Sequence, residues 1–511
     1  MTDKMTIKLL AIFICIPILI LAFAGCNNKE NQSSPDTEGT TAVSETQDTD
    51  NESGAPSEGE PSDGSPSGTD PSSTQKATDP SSTQKADDTK KATTTTKTPA
   101  TTAPPPNLNG RTITYAANWN EPTNDARYMQ RKQWLEKNLN CKIKHYPLLD
   151  DASRDNLTNS ILAGKPIADF FTQGPRVYNY VSKGMLYPIS DLKCINIKDS
   201  KWNSLIRDYS TINGKTYGIY WKQNVFRNVL LYNKSLIKGE DDLYKLQKAG
   251  KLTWDKLFEI ADKVAKAQSN VKDFAAISGT MDINDFTNVF IAANNGRMAT
   301  RGKGLDFTYT YDSKNTRRAL EEVQKWVKAG LLLDVSGKSY LYAHSQFYKG
   351  KVGMMPCDNW QMSEIFAKAK FKVGAVLFPK GPDAKYDLVD QNGQEFYMIP
   401  ATVSKPEEIG QFINAMADYD IKNDPSWKEI WGDMCDDDPE IMDTFTKYLS
   451  MIDEGKHFLD YRDVIQGSIY DNGVYGMLAR VARSSLTPQA FLESIKPVAE
   501  SNIAELAGKK K

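Results

Sequence analysis

The sequence predicts an α/β protein whose body folds as two lobes, and three observations lead there. From Asn109 onward, strand-like runs alternate with segments of helical spacing, the pattern of βαβ units around a parallel sheet. That body is about 400 residues long, more than the roughly 250–300 one hydrophobic core supports. The composition also changes sharply near residue 109, so the body is set apart from what precedes it.

The N-terminus carries Lys4 and Lys8, an apolar run from Leu9 to Ala24, and then "FAGC". A basic start, a short apolar stretch and small residues before a cut describe a secretory signal peptide over 1–25. The run is short against the ~20 residues a spanning helix needs, and Pro17 interrupts it. Ala24-Gly25-Cys26 resembles the lipobox of bacterial lipoproteins, with Phe23 where that family usually has Leu. The resemblance implies lipidation of Cys26 and anchoring at the outer face of a Gram-positive cell membrane; a plain secreted protein is the alternative.

Residues 26–108 are rich in Ser, Thr, Pro, Asp and Glu, and "TDPSSTQKA" occurs twice in succession, at 69–77 and 78–86. With almost no large apolar side chains, this composition predicts a disordered tether. Some 80 flexible residues reach roughly 50 Å. The formal charge of −2 divides into −8 on residues 27–107, +1 on the leader and +5 on the remainder. So small an excess over such a body is not a nucleic-acid footprint. Beyond Cys15 and Cys26, the cysteines are Cys141, Cys194, Cys357 and Cys435, without a CxxC or a paired His. That spacing does not make a zinc site. Buried free thiols and a Cys141–Cys194 disulfide both remain open.

In the body, "RTITYAA" reads as a strand and "NDARYMQRKQWLEKNLN" as a helix. "CKIKHYPL" is a second strand, "ASRDNLTNSILAG" a helix stopped at Gly164, "IADFFTQ" a third strand and "PRVYNYVSKG" a further helix. Ligands of such sheets bind beyond the carboxyl ends of the strands. Those ends follow Tyr115–Ala117 and Phe170–Phe171.

Seven segments then occur in one order: "LTNSILAGKPIADFF", "INGKTYGIYW", "VLLYNKSLI", "LTWDKLFEIADKVAK", "FYKGKVGMMPCDNW", "FKVGAVLFPKGP" and "FYMIPATVSKPEEIGQFINAM". In this order the chain resembles the extracellular solute-binding proteins of bacterial ABC importers, family 1, the carbohydrate-binding group that includes maltose- and oligosaccharide-binding proteins. The resemblance covers 109–505. It implies a two-lobed, hinge-linked periplasmic-binding-protein-like fold of type II. Lobe one is expected at 109–223 plus 396–455 and lobe two at 224–395 plus 456–505, with crossings near Lys222–Asn224 and Gln394–Ile399. It further implies capture of a small solute, a saccharide in the first place, by a monomer that delivers it to the transmembrane subunits of a permease. No cofactor, metal or nucleic acid enters this reading.

A neutral sugar offers apolar C–H faces and a rim of hydroxyls, which aromatic rings and Asp, Glu, Asn, Gln or Arg satisfy. Trp119 and Glu121 follow the first strand, as a clamp or as a surface loop. Gln173 and Arg176 follow the third; Arg176 matches a ligand-contacting Arg of the maltose-binding relatives, although Pro175 replaces their Asp. A solvated charge at a helix start is the alternative for Arg176. In the second lobe, Asp285 lies in a loop where relatives supply a polar contact, and helix capping explains an Asp there equally well. Trp360, in "PCDNWQM", matches a stacking aromatic of the family. Tyr470 and Asp471, in "GSIYDNGVYG", occupy the place of a late ligand loop.

Enzyme readings find less support. The Gly-Lys-Thr at 214–216 lacks the earlier Gly a P-loop needs, with Tyr209 in its place. Three scattered histidines, His145, His344 and His457, make no catalytic or metal constellation. A secreted glycosidase built on two carboxylates is the enzyme alternative; a binder of peptides or other solutes, or a sensor, is the non-enzyme one. Asn213-Gly214 predicts a hairpin tip, with Tyr217, Ile219 and Trp221 on one face of the following strand and Tyr220 on the other. Trp221 is the ring expected to reach the ligand.

Overall fold

The computed structural model describes residues 106–173, 176–221, 225–392, 394–465 and 477–509. The leader, residues 26–105 of the tether with Cys26, the crossing at Lys222–Asn224 and the pair Tyr470–Asp471 lie outside the described residues.

The strands follow the chain as β1 (Arg111–Ala117), β2 (Cys141–Pro147) and β3 (Phe170–Thr172). A short hairpin, β4 (Thr211–Ile212) and β5 (Lys215–Thr216), precedes β6 (Val229–Asn233) and β7 (Ala275–Ile277). A second hairpin, β8 (Ala299–Arg301) and β9 (Phe307–Tyr309), is followed by β10 (Val352–Cys357) and β11 (Val373–Leu377). The last three are β12 (Val389–Asp390), β13 (Tyr397–Met398) and β14 (His457–Phe458). Two four-stranded sheets result, ordered β13-β3-β1-β2 and β11-β6-β10-β7.

In the first sheet β1 pairs in parallel with both β2 and β3, as the alternation of strand and helix predicts, while β13 returns antiparallel to β3. Strand alternation sends Ile113, Tyr115 and Ala117 to one face and Ala116 to the other. The first face packs on the helices Ala126–Leu139 and Pro406–Asn423, which an Arg131–Asp420 ion pair of 2.6 Å also joins. Asp125 caps the first of these helices by accepting from the N–H groups of Arg127 and Tyr128. On the opposite face lies helix Asp151–Leu162, started by a capping box between Asp150 and Ser153.

The second sheet is mixed: β6 runs antiparallel to β10 and β11, and β7 is parallel to β10. Leu230 and Tyr232 face helices Trp254–Ala267, Ile283–Ala293 and Lys314–Lys328, whose buried side chains recur at helical spacing. Val229 and Leu231 face Tyr342–Tyr348, Asn359–Lys368, Trp427–Met434 and Pro439–Asp453. Gly374 on β11 makes room for Tyr232, whose ring would lie 2.3 Å from an added Cβ.

One boundary differs from the sequence reading. Residues 427–453, expected with the first lobe, bury Trp431, Ile441, Phe445 and Tyr448 against the second sheet. The chain therefore returns to the second sheet between Asp424 and Trp427, about 30 residues earlier than the expected change at 455/456. Amphipathic helices carry no mark of which sheet they will cover, so spacing alone did not place them.

The halves meet along an aromatic seam. Tyr178 touches Tyr209, Phe307 and Tyr461 with centroids 5.0–5.8 Å apart, and Tyr209 stacks on Tyr461 at 5.3 Å and 7°. Arg301 of β8 donates to the carbonyls of Asp208 and Tyr209 (3.4 and 3.2 Å) and of Thr211, satisfying carbonyls at the end of helix Ser204–Ser210. Beside it the two hairpin tips abut, Gly304 lying directly against the Asn213 side chain. Asn213 and Gly214 both have positive φ, 52° and 79°, the twist of a two-residue hairpin turn. The Gly-Lys-Thr is thus the tip of a hairpin.

Asp460, 4 % exposed, accepts from the N–H groups of Met298 (2.9 Å) and Tyr461 (2.8 Å) at this seam. Burial pushes its carboxyl from 3.8 up to about 6, against those hydrogen bonds. A raised folded-state value means the native protein binds the proton more tightly than the unfolded chain. Stability from this group is therefore present below pH 3.8 and is lost as pH rises to about 6. We expect urea unfolding to show that decline, and Asp460→Asn to flatten it; an unchanged slope in the variant would assign the dependence to another group.

Candidate functional site

Polar side chains gather at the ends of the first-sheet strands. Glu395, on the segment entering β13, accepts from Asn118 at 3.4 Å and from the Thr172 hydroxyl, so β1, β3 and the crossing segment are held together. Gln173, 4 % exposed, donates to Asn118 at 3.5 Å and accepts from the Tyr180 hydroxyl (2.6 Å) and from Arg176 (3.3 Å). The sequence-predicted pair Gln173 and Arg176 is thereby brought together. Arg176 opens helix Val177–Ser182, whose Asn179 donates to the Asp463 carbonyl at 3.4 Å. Burial raises the Asp463 carboxyl, and the charges of Arg462 and Arg176 oppose that rise, which sets Arg176 at the junction of the two halves.

Trp119 is half-buried, its ring edge-on to Tyr115 at 6.3 Å. Glu121 is engaged by the following helix, accepting from Lys132 (2.6 Å) and the Tyr128 hydroxyl (2.9 Å). Burial works to raise its carboxyl, but these two partners outweigh it and hold it below the ordinary value. Its geometry is that of a loop-to-helix brace.

Trp221 sits differently from expectation. Its residue is 2 % exposed, its ring lies 4.3 Å from Tyr220 and 5.5 Å from Tyr397, and its backbone bridges Trp202. In this arrangement Trp221 is a core residue. The reason is local: Ile219 and Tyr397 exchange backbone hydrogen bonds, so the segment extends the first sheet and turns its Ile219/Trp221 face inward. Tyr220, stacked at 4.9 Å on Tyr397, keeps partial exposure and is the ring of this pair with accessible surface.

At the second sheet, Asp282 is the helix cap, accepting from the Asp285 N–H at 2.9 Å. Asp285 in turn accepts from the Met281 N–H at 3.1 Å, closing the loop. Trp360 stands in the first turn of helix Asn359–Lys368, half-buried between Tyr340 (6.0 Å) and His344 (5.2 Å, nearly perpendicular). The adjoining Asp358 pairs with Arg227 at 2.9 Å and accepts from the Asn228 N–H at 3.1 Å. Asn228 donates to Asp390 at 2.6 Å and accepts from Thr280 at 3.2 Å, and Gln361 donates to the Thr280 carbonyl at 2.6 Å. This network joins the end of β10, the start of β6 and the loop after β7. Beside it is a small recess lined by Asn228, Val289, Ala293, Phe378 and Asp390.

Sequence reasoning missed Asn118, Thr172 and Glu395 on the first side, and Asn228, Thr280 and Asp358 on the second. Asn118 and Asp358 had a readable signal, since Asn118 adjoins Trp119 and Asp358 lies two residues before Trp360. Glu395 and Asn228 had none, because their positions follow from which segments cross between the halves.

A family model described as a bacterial extracellular solute-binding protein matches residues 130–432. A search of curated protein sequences gives no match. Among solved structures, the fold is similar to the ABC substrate-binding protein Lmo0181 from Listeria monocytogenes, solved in complex with cycloalternan. That comparison has a TM-score of 0.56 and 19 % identity, over 78 % of this chain and all of the other. It is similar to the GacH receptor of Streptomyces glaucescens GLA.O, solved unliganded and with acarbose, at a TM-score of 0.54 and 17 % identity over 79 % and 100 % of the chains. A cyclo/maltodextrin-binding protein complexed with maltotetraose gives 0.53 and 21 % over 77 % and 97 %.

Proposed function

The chain belongs to the bacterial extracellular solute-binding protein family, and from that premise we propose that it captures a neutral saccharide between its two lobes for an ABC importer. The fold is the two-lobed α/β architecture of periplasmic binding proteins. In this reading lobe one comprises 109–221 and 397–424, and lobe two comprises 225–391, 427–465 and 477–505.

The observation that carries the saccharide is the character of the strand ends. Arg227 is paired with Asp358, and Glu121 with Lys132, so these four charges are balanced inside the protein. Amide and hydroxyl groups (Asn118, Gln173, Asn228, Thr280) lie near half-buried rings (Trp119, Tyr220, Trp360), and that mixture suits a polyol with apolar faces better than a charged peptide. Each lobe carries half of the set. A ligand touching both stabilises the closed state and shifts the population towards it. Cys26 would hold the lipid anchor at the extracellular face of the membrane, and the closed form would engage the permease as a monomer.

The test is calorimetric titration with neutral oligosaccharides, maltotetraose and acarbose among them, combined with small-angle scattering. Stoichiometric binding with compaction is expected. Silence across the saccharides with a response to peptides would overturn the sugar reading, and release of hydrolysed product would establish a glycosidase instead.

A further inference from the structure

This inference rests on the reading of Trp360 as a ligand-facing ring and names what orients it. His344, on helix Tyr342–Tyr348, is 1 % exposed. Its Nε2 lies 2.7 Å from the Glu364 carboxylate, and Glu364 stands four residues after Trp360, one turn along the same helix. The imidazole therefore reaches past the indole to the helix that carries it, and meets that indole edge to face at 5.2 Å and 85°. Tyr340 flanks the indole at 6.0 Å. Glu364 also holds Lys368, and the hydrogen bonds from His344 and Lys368 outweigh burial to keep its carboxyl near 2, so it is a constant acceptor.

We infer that His344 is the positioning residue for Trp360: its bond to Glu364 locks the two helices in register and its ring fixes the angle at which the indole faces the ligand. The position calls for a planar side chain that donates from its far end. Leucine would fill the space without the bond. Glutamine would restore the donor at the distance of Nε2. A solvated surface histidine would have no such requirement, and this one is sealed from water.

The experiment uses the full chain with His344→Leu, His344→Gln, Glu364→Ala and Trp360→Ala. Binding is read by titration with maltotetraose and the other neutral oligosaccharides. Trp360 emission is isolated as the difference between each protein and its Trp360→Phe counterpart. His344→Leu is expected to weaken binding about tenfold and to shift that emission to longer wavelength, with His344→Gln restoring both. Should His344→Leu fail to fold, Glu364→Ala breaks the same bond from the more exposed side and is expected to reproduce the loss. Wild-type affinity and emission in His344→Leu, alongside lost binding in Trp360→Ala, would overturn the positioning role alone. Wild-type affinity in Trp360→Ala would overturn the ligand-facing reading and the inference with it.

Discussion

Trp360→Ala should weaken binding of a neutral oligosaccharide about thirtyfold while leaving the fold intact. An indole face covering a sugar ring removes on the order of 80 Å² of apolar surface from water, worth about 2 kcal/mol at ~25 cal/mol per Å². That corresponds to a factor of about thirty in affinity, in the range of aromatic hot spots. The loss falls on binding because the residue is only half-buried and the helix of its neighbour His344 is anchored in the core through Ala343 and Phe347. Trp360→Phe keeps a smaller ring and should recover most of the affinity. Titration of the two variants beside the parent decides the matter, with the melting temperature as control. An affinity within threefold of the parent in Trp360→Ala would remove this ring from the site.

Phe226→Ala should cost about 4 kcal/mol of stability, the usual range for truncating a buried Phe. Phe226 is fully buried, stacks on Phe445 at 4.4 Å, and meets Tyr448 and Trp431 edge-on at 5.2 and 5.7 Å. Its ring joins the segment entering β6 to helices Trp427–Met434 and Pro439–Asp453. The cavity left by truncation is walled by large rings on two helices, which cannot all move in to fill it. Urea unfolding would measure the loss. Hydrogen exchange should show the added opening in residues 427–453 together with β6. Faster exchange in the first sheet, with β6 unchanged, would mean that these helices are coupled to the other lobe after all.

The elements of the first lobe were legible because local physics specifies them. Asp125 and Asp150 cap helices whose buried residues recur at helical spacing, Asn213-Gly214 adopts positive φ, and β1 alternates between two apolar faces. Trp360 was singled out through the family resemblance, and Gln173 and Arg176, which the structure joins by a hydrogen bond, through their place beyond a strand end. Trp221 was not placed correctly by alternation, because alternation divides a strand into two faces without saying which is covered. Here both faces meet aromatic neighbours, and the pairing of Ile219 with Tyr397 decided that the indole turns inward.

By itself, then, the sequence determined the α/β class, the order of the first three strands and the helices between them, and the hairpin tip. All of these depend on residues within a few positions of one another. The tertiary structure decided which sheet residues 427–453 cover, where the chain makes its last return to the second sheet, and that Glu395, Asn228 and His344 stand where they do. Glu395 meets Thr172 at a sequence separation of 223, and Asn228 meets Asp390 at one of 162. Contacts at such separation arise only once the lobes have packed, so no local pattern could announce them.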